Sequence, residues 1–275
     1  MKLIQISDIH LTIPGEPMDG LDPHKRFATA LQDVTEKHSD AERIIITGDL
    51  THWADPQAYQ SLSDALANIA TPVRLMIGNH DDRAVFLNAF PEHPTDPFGY
   101  VNYFEDLDDT RLIYLDTVAH KTHEGHFSED RANWLNEALK DAEHARLFMH
   151  HNPMKLGLPA VDKIGLVERD QSLFRTILET YRSKIDYIHF GHVHAPIHGT
   201  YCGIPFASVP STGNQAIPDL NETELLKGGP LPPAYFVICL EGRETVIHQI
   251  PYTWAGPIST AGTGLEDWAK PLVLK

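Results

Sequence analysis

Residues that commonly bind metal ions occur along this chain in short blocks, each directly after a short apolar run. The five blocks are Asp8-Ile9-His10, Gly48-Asp49, Gly78-Asn79-His80-Asp81, His150-His151-Asn152-Pro153 and Gly191-His192-Val193-His194. Histidine nitrogen and aspartate oxygen together suit first-row metals such as Fe, Mn, Zn and Co. The blocks therefore predict a metal site, provided that the fold brings them together.

The spacing inside two of the blocks supports this interpretation. Asp8 and His10 are separated by one residue, and so are His192 and His194. Alternate residues of an extended segment lie on the same side, so both side chains of each pair can face the site. Each block alone also fits an ordinary turn or a surface pair. It is their repetition after five apolar runs that favours a metal site.

The apolar runs alternate with helix-like segments, which is typical of an α/β fold. The predicted strands are residues 3–7, 43–47, 73–77, 100–104, 111–115, 146–149, 187–190, 199–202, 205–209, 234–240 and 244–250. The predicted helices are residues 26–38, 56–69, 82–90, 128–143 and 171–182. Ligand sites in open α/β sheets lie beyond the carboxyl ends of the strands. We therefore expect the five blocks to converge at one edge.

The composition restricts the partners. The chain of 275 residues has 22 Lys and Arg against 38 Asp and Glu, a formal net charge of −16. So acidic a surface repels nucleic-acid backbones and anionic lipid, which argues against a nucleic-acid polymer or a membrane as partner. Without a signal-peptide core or a long apolar run, a cytoplasmic protein is expected. A single bridge between Cys202 and Cys239 stays open, but two reduced, buried thiols are expected.

No composition shift marks a domain boundary, so residues 1–275 are predicted to form a single domain. Residues 210–233 are rich in Pro, Gly, Asn and Thr and are predicted to form a long loop. Loops of this length are usually functional or disordered. This loop is expected to form a cap over the metal site or a contact in a homo-oligomer, and a loop without a role stays open.

The ordered set of five blocks resembles the calcineurin-like metallophosphoesterase superfamily, and it spans residues 8–194. Within that superfamily the chain looks most like the bacterial class III cyclic-nucleotide phosphodiesterases and the related glycerophosphodiesterases. Residues 21–26, 81–87 and 254–257 carry this narrower likeness. The resemblance implies an α/β fold, a four-layer α-β-β-α sandwich of two mixed sheets with helices outside.

The resemblance also implies a centre of two divalent or trivalent metal ions, each Fe, Mn, Zn or Co. The first ion would be held by Asp8, His10, Asp49 and His194. The second would be held by Asp49, Asn79, His150 and His192. Asp49 and a hydroxide would bridge the two ions, and His151 would lie behind the ligands.

The implied reaction is hydrolysis of a small phosphodiester by attack of a metal-bound hydroxide on phosphorus. Asn79 and His80 would stabilise charge on the phosphate, and His80 is the candidate general acid. His52 and His24 are expected near the mouth of the site as further substrate-binding residues. A 3′,5′-cyclic nucleotide is the first choice of substrate. A 2′,3′-cyclic nucleotide or a glycerophosphodiester is the alternative.

A different class of function, a binding module that has lost catalysis, should lack at least one ligand. All seven implied ligand positions carry competent residues, which favours an enzyme. Three sibling families fit less well. Purple acid phosphatases have a tyrosine ligand where this chain has His52, and protein phosphatases have Glu where it has Asp81. Double-strand-break nucleases need a basic surface for DNA.

Overall fold

The structure is a computed structural model that describes residues 1–260 and 272–274. Two large mixed sheets and two pairs of short strands make up its β-structure. In chain order the elements are β1 (Lys2–Ile6), α1 (Pro23–Lys37), β2 (Arg43–Thr47), α2 (Pro56–Leu66), β3 (Val73–Met76), α3 (Arg83–Ala89), β4 (Tyr103–Leu107), β5 (Thr110–Leu115), α4 (Glu129–Lys140), β6 (His144–Met149), α5 (Pro159–Asp162), α6 (Glu168–Thr180), β7 (Ile185–Phe190), β8 (Ile197–Tyr201), β9 (Ile204–Ser208), β10 (Gln215–Ala216), β11 (Gly228–Gly229), β12 (Ala234–Glu241), β13 (Glu244–Pro251), β14 (Ile258–Thr260) and β15 (Leu272–Leu274).

Each large sheet combines neighbouring parallel strands with antiparallel strands, which lie at one edge of the first sheet and at both edges of the second. The first sheet has the order β13-β12-β1-β2-β3, in which β1, β2 and β3 are parallel. The second has the order β4-β5-β6-β7-β9-β8, in which β5, β6, β7 and β9 are parallel. Parallel neighbours place their carboxyl ends at the same edge, so the segments after these strands can meet there.

The side chains of β5 show how the layers stack. Leu112 and Tyr114 belong to the core that includes β1, β2, α1 and α2. Ile113 and Leu115 belong to a second core that includes α4 and α6. Because successive side chains of a strand point to opposite faces, the second sheet lies between the first sheet and these two helices. The predicted four-layer α-β-β-α sandwich is confirmed.

Side-chain caps begin the first four helices. The capping residues, each accepting a hydrogen bond from a backbone N–H two or three residues later, are Asp22, Asp55, Asp82 and Ser128. We predicted that the first helix begins at Arg26, but it begins at Pro23, because Asp22 caps it and proline suits the first helical position. No helix within residues 1–260 and 272–274 has the length and apolar composition needed to cross a bilayer.

The β4–β5 hairpin lies further along the chain than predicted. We expected a strand at residues 100–104, whereas β4 covers Tyr103–Leu107. Its Glu105 binds the guanidinium groups of Arg43 and Arg74 at 2.9 and 2.7 Å. These arginines lie on β2 and β3 of the other sheet, so ion pairs distant in sequence hold an acidic stretch in a strand.

The predicted long loop at 210–233 has two differently held parts. Its first residues are buried, and Ser211 Oγ and the Thr212 amide donate to the carbonyls of Asp8 and Ser7 at 2.8 and 3.0 Å. The two-residue strands β10 and β11 then pair antiparallel. The residues between them carry exposed leucines, among them Leu220 at 69% exposure. The segment is therefore anchored to the end of β1 and open at its tip.

The two cysteines lie apart in the fold. Cys202 is in the turn between β8 and β9 of the second sheet, and Cys239 is on β12 of the first. Both are unpaired and half-buried. The expectation of free thiols is confirmed, while that of burial is wrong, since both side chains are partly exposed.

Candidate metal centre

The five predicted blocks come together between the two sheets. The ligand atoms of Asp8, His10, Asp49 and His194 lie within 4.8 Å of one another, and we call these residues group 1. Those of His150, His151 and His192 meet the same limit, and we call these residues group 2. The first three blocks follow strands of the first sheet, and the last two follow strands of the second. The site therefore joins the ends of both sheets.

Asp49 is a member of group 1 that also faces group 2. Its Oδ2 atom is 3.6 Å from Nε2 of His10 in group 1. The same atom is 3.3 Å from Nε2 of His150 in group 2. Asn79 joins group 2, since its Oδ1 atom is 3.1 Å from His150 Nε2. One carboxylate oxygen facing a histidine of each group is the geometry that a bridging ligand requires.

Backbone carbonyls orient two of the histidines. Nδ1 of His150 donates to the carbonyl of Thr47 at 2.9 Å, and Nδ1 of His194 donates to that of Asn214 at 2.8 Å. A hydrogen bond at Nδ1 fixes the tautomer and leaves the Nε2 lone pair for an ion. Both rings therefore present an electron pair to the site.

The donor set fits metal ions. Nε2 of His192 and Nε2 of His151 are buried and have no hydrogen-bond partner. Nε2 of His10 lies 3.1 Å from Nε2 of His194. Buried polar atoms in native proteins are nearly always paired, and converging imidazole and carboxylate lone pairs suit a first-row cation. These clusters, each joined to Asp49, indicate a dinuclear site.

Charges in the site are strongly coupled. Burial alone would lower the pKa of His150, but the neighbouring charge of Asp49 raises it to about 9. Burial, aided by His150, lowers the pKa of His192 to about 3. Burial disfavours ionised Asp49, yet His150 and His80 hold its pKa well below the usual value. At neutral pH Asp49 thus faces a positive charge, either a proton on His150 or a bound cation.

Five residues of the two groups have left-handed backbone conformations. Their φ angles are 51° for Asp8, 47° for His10, 47° for Asp49, 67° for His192 and 54° for His194. Side-chain-bearing residues rarely adopt such angles, which cost about 1 kcal/mol each. The extended geometry that we assumed for the two Asp-x-His and His-x-His pairs is therefore wrong. The chain instead coils at the strand ends and aims both side chains of each pair inward.

Glycine is required at three places around the groups. A Cβ atom on Gly48, whose φ is +96°, would lie 2.5 Å from Nδ1 of His150. A Cβ atom on Gly78 would overlap the carboxylate of Asp49, and one on Gly191 would overlap the hydroxyl of Ser7. These glycines let the strand ends approach closely, because no Cβ atom occupies the space between them.

Asp81 positions two of the blocks. It is buried, and it accepts hydrogen bonds from the amides of Leu50, Thr51 and Gly78 at 3.0, 3.1 and 2.9 Å. The hydroxyl of Tyr59 donates to it at 2.8 Å. The sequence analysis used Asp81 to recognise the family and gave it no role in the site. Its bonds tie the segment that carries Asp49 to the one that carries Asn79.

His80 and His52 lie at the rim of group 1. His80 Nδ1 donates to the carbonyl of His52 at 2.9 Å, and the two rings stack with centroids 5.1 Å apart. The backbone amide of His80 donates to Asp49 Oδ1 at 2.8 Å. His24 is on α1, where its Nε2 atom is 2.8 Å from the Thr12 carbonyl, and it is not among the residues that line the cavity.

His123 lies outside the five blocks, and the sequence analysis did not identify it as a candidate. Its Nδ1 accepts a hydrogen bond from Nδ2 of Asn79 at 2.8 Å, and its ring centroid is 5.1 Å from that of His80. It lies in the loop between β5 and α4, outside every block, so no spacing could have found it. Because His123 accepts the hydrogen bond from Nδ2 of Asn79, the Oδ1 atom of Asn79 faces His150.

A cavity of about 680 Å³ opens over both groups. One end is lined by Asp49, Asn79, His80, His123 and three residues of the last block, His192, Val193 and His194. The other end is lined by residues 158–164 and by the segment that links β10 and β11. The metal-binding groups therefore form the floor of one end of a larger space.

Solved structures share this fold at low sequence identity. The purple acid phosphatase of yellow lupin seeds aligns over 92% of this chain with a TM-score of 0.64 and 11% identity, and the match covers 52% of the lupin chain. The Plasmodium protein GAP50 aligns over 93% of this chain and 86% of its own, with a TM-score of 0.62 and 12% identity. These likenesses support the predicted fold.

Sequence relatives are closer and cover the chain more evenly. A Rhodopseudomonas palustris protein named "Probable cyclic nucleotide phosphodiesterase" is 36% identical over 94% of this chain and 95% of its own. The glycerophosphodiester phosphodiesterase GpdQ of Enterobacter lignolyticus is 27% identical over 94% of each. The Escherichia coli 3′,5′-cyclic adenosine monophosphate phosphodiesterase CpdA is 26% identical over 77% of this chain and 76% of its own.

These relatives fall in the branch that residues 21–26, 81–87 and 254–257 predicted. The model of the calcineurin-like phosphoesterase family matches residues 1–196, which include every residue of groups 1 and 2. The match agrees with the four-layer fold and the paired donor groups. The chain belongs to the calcineurin-like phosphoesterase family.

Proposed function

We propose that this chain is a dinuclear metal-dependent phosphodiesterase of small phosphodiesters, most of all of 3′,5′-cyclic nucleotides. The observation that carries the proposal is Asp49 Oδ2, which faces His10 of group 1 and His150 of group 2 at 3.6 and 3.3 Å. Family membership supports phosphoester hydrolysis. The diester class is carried over from the names of the relatives.

The proposed ligands are divided between the two ions. One ion would be bound by Asp8, His10, Asp49 and His194. The other would be bound by Asp49, Asn79, His150 and His192, and His151 is a further donor within reach of group 2. Fe, Mn, Zn and Co all accept these nitrogen and oxygen ligands. Two such ions would supply Lewis acidity toward phosphoryl oxygens and a nucleophile from water at neutral pH.

The chain's own residues would handle charge and proton transfer. His80 is fixed through Nδ1, so Nε2 is the nitrogen that can carry a proton to a leaving alkoxide. Asn79 would hold its position through His150 on one side and His123 on the other. We propose His80 as the general acid and Asn79 as a ligand that also stabilises phosphate charge. His52 would support His80 rather than contact the substrate.

Glycerophosphodiesters and 2′,3′-cyclic nucleotides are the second candidates within the same reaction. The relative named glycerophosphodiester phosphodiesterase favours the first of them. A binding module without catalysis is disfavoured because the seven proposed ligand residues are present and lie together. A small diester carries one negative charge, so an acidic chain of net charge −16 tolerates it better than a polyanion.

A substrate panel with reconstituted metals tests the proposal. The protein is loaded with Mn, Fe, Zn or Co, and metal content and turnover are measured together. The panel contains 3′,5′-cAMP, 2′,3′-cAMP, glycerophosphocholine, bis(p-nitrophenyl) phosphate and a phosphomonoester. We expect two metal ions per chain and hydrolysis of diesters ahead of the monoester. Two bound ions without turnover of any diester would overturn the proposal.

A further inference from the structure

Two separate segments contribute aliphatic side chains to the lining of the cavity. One is the segment around α5, and the other links β10 to β11. We call these aliphatic side chains the apolar wall, namely Leu158, Val161, Ile164, Ile217, Leu225 and Leu226. They line the same cavity as Asp49, Asn79 and His80, so one molecule can contact both.

The apolar wall keeps much of its surface open. Leu225 is 66% exposed, Leu226 is 62% exposed and Ile217 is 47% exposed. A single exposed leucine is ordinary, but neighbouring exposed aliphatic residues that line a cavity mark a place where apolar surface is covered by a ligand or partner. The position of these residues beside the phosphate-binding end favours a ligand.

Two lysine–carboxylate pairs lie near the apolar wall. Lys227 also lines the cavity and binds Asp219 at 2.6 Å, while Lys163 on the first segment binds Glu224 on the second at 2.6 Å. Asp219 and Glu224 therefore already have cationic partners, and Asp19, another acid of the lining, accepts a hydrogen bond from Nδ2 of Asn214 at 2.7 Å. The aliphatic side chains of the wall have no polar atoms, so a polyol placed against them would lose hydrogen bonds to water without replacement.

The size of the cavity also exceeds what a phosphate and a short polyol need. Its volume of about 680 Å³ lies in the range of sites that enclose drug-sized ligands. With the phosphate at the metal-binding end, the remaining space extends along the apolar wall. A flat ring system fills such a space and gains from apolar contact.

We propose that the apolar wall binds the ester substituent of the substrate, and that this substituent is a nucleobase-bearing group rather than glycerol. The inference rests on the proposed function, because the phosphate must lie at the metal-binding end. Under this inference the chain prefers nucleotides among the diesters, and Leu225 and Leu226 are specificity-determining residues. Their loss should weaken binding of the substituent and leave the phosphate contacts intact.

Binding of two phosphomonoesters to the metal-loaded protein tests this inference. The probes are 5′-AMP and sn-glycerol 3-phosphate, which share the phosphate and differ in the substituent, and calorimetry gives both dissociation constants. The variant Leu225→Ser/Leu226→Ser removes apolar surface without adding charge. Leu220→Ser is the matched control, since Leu220 is 69% exposed on the same segment but does not line the cavity. Val161→Ser tests the opposite side.

We expect 5′-AMP to bind the unaltered chain at least about tenfold more tightly than glycerol phosphate, as burial of about 50 to 60 Å² of apolar surface would give. The double variant should lose most of this preference, Val161→Ser part of it, and Leu220→Ser none. Equal binding of the two probes by the unaltered chain, or an unchanged preference in the double variant, would overturn the inference. These readouts need no turnover, whereas the proposed function fails by absence of diester hydrolysis.

Discussion

The two ends of the cavity are built in opposite ways. At the metal-binding end, buried residues directly follow the central strands of both sheets, and His10 and Asp8 donate backbone hydrogen bonds to the Asp49 and Gly48 carbonyls at 2.9 and 3.1 Å. At the apolar wall, exposed side chains stand on a segment held by two strands of two residues each. The arrangement of ligands is therefore fixed by the core, while the wall can change without disturbing it.

The contacts that hold the metal-binding end are buried, whereas the ion pair that joins the two sides of the apolar wall is exposed. Asp81 receives buried backbone hydrogen bonds from the segments that follow β2 and β3 of the first sheet. The two sides of the apolar wall are joined by the Lys163–Glu224 ion pair, whose side chains are 53% and 73% exposed. Exposed ion pairs contribute little to stability because water and salt screen them. Substitutions at the first end should act on metal binding and chemistry, and those at the second on selectivity.

Asp49→Ala should have the largest effect, because it removes the one carboxylate that faces both groups. We expect metal content to fall at both positions and activity to fall by orders of magnitude. Elemental analysis and turnover of bis(p-nitrophenyl) phosphate measure the two effects. Asp64→Ala, an exposed acid on α2, is the control. Two retained ions with near-normal turnover would show that Asp49 does not bridge them.

His80→Ala should separate chemistry from metal binding within the same end. Metal content should stay near that of the unaltered chain, and hydrolysis of cyclic AMP should fall on the order of 10²–10⁴-fold, as for loss of a general acid. The fall should be smaller for bis(p-nitrophenyl) phosphate, since p-nitrophenolate leaves without protonation. His248→Ala, an exposed histidine on β13, is the control. Parallel loss of metal would make His80 a ligand instead.

His123→Ala should have a smaller effect of another kind. It removes the acceptor for Asn79 Nδ2 and frees the amide to rotate away from His150. We expect kcat to fall about tenfold to hundredfold, the range for residues that orient metal ligands. The fall should be similar for good and poor leaving groups, and His123→Asn should restore part of it. A leaving-group dependence like that of His80→Ala would assign a proton to His123.

Replacement of residues 218–226 by a short Gly-Ser linker should have the smallest effect on the chemistry. The neighbouring residues 211–215 must stay, because Ser211 and Thr212 bind the end of β1. Metal content and hydrolysis of bis(p-nitrophenyl) phosphate should survive, while the ratio of activities on cyclic AMP and glycerophosphocholine falls. An unchanged ratio would mean that the proposed cap takes no part in selectivity. Loss of metal would mean that the two ends are not independent.

The sequence predicted that the five blocks converge, because each block follows a strand with a clear apolar signal. It placed Asp8, Asp49 and His150 at strand ends, and the family that they predicted is confirmed. It could not assign these strands to two sheets, since sheet membership depends on contacts between distant segments. It also gave an incorrect reason for the Asp-x-His spacing, because positive φ angles at Asp8 and His10 arise only when neighbouring strand ends are packed together.

The apolar wall could not be predicted from the sequence. Val161 and Leu226 are far apart along the chain, and neither belongs to a pattern with a period. His123 was missed for the same reason, since its role depends on an amide at Asn79 that the sheets bring close. Contacts between distant segments also decide where a strand forms, since the ion pairs of Glu105 with Arg43 and Arg74 hold it in β4. Features made by distant segments leave no local signal.

The left-handed backbone at the ligand positions has a consequence for engineering and evolution. Glycine adopts those φ angles freely, so it would fit the backbone at positions 8, 10, 49, 192 and 194 with less strain than a residue that has a side chain. A selection for thermal stability that ignores turnover should therefore accumulate glycine at these positions. The most stable sequence for this backbone and the active one are expected to differ there.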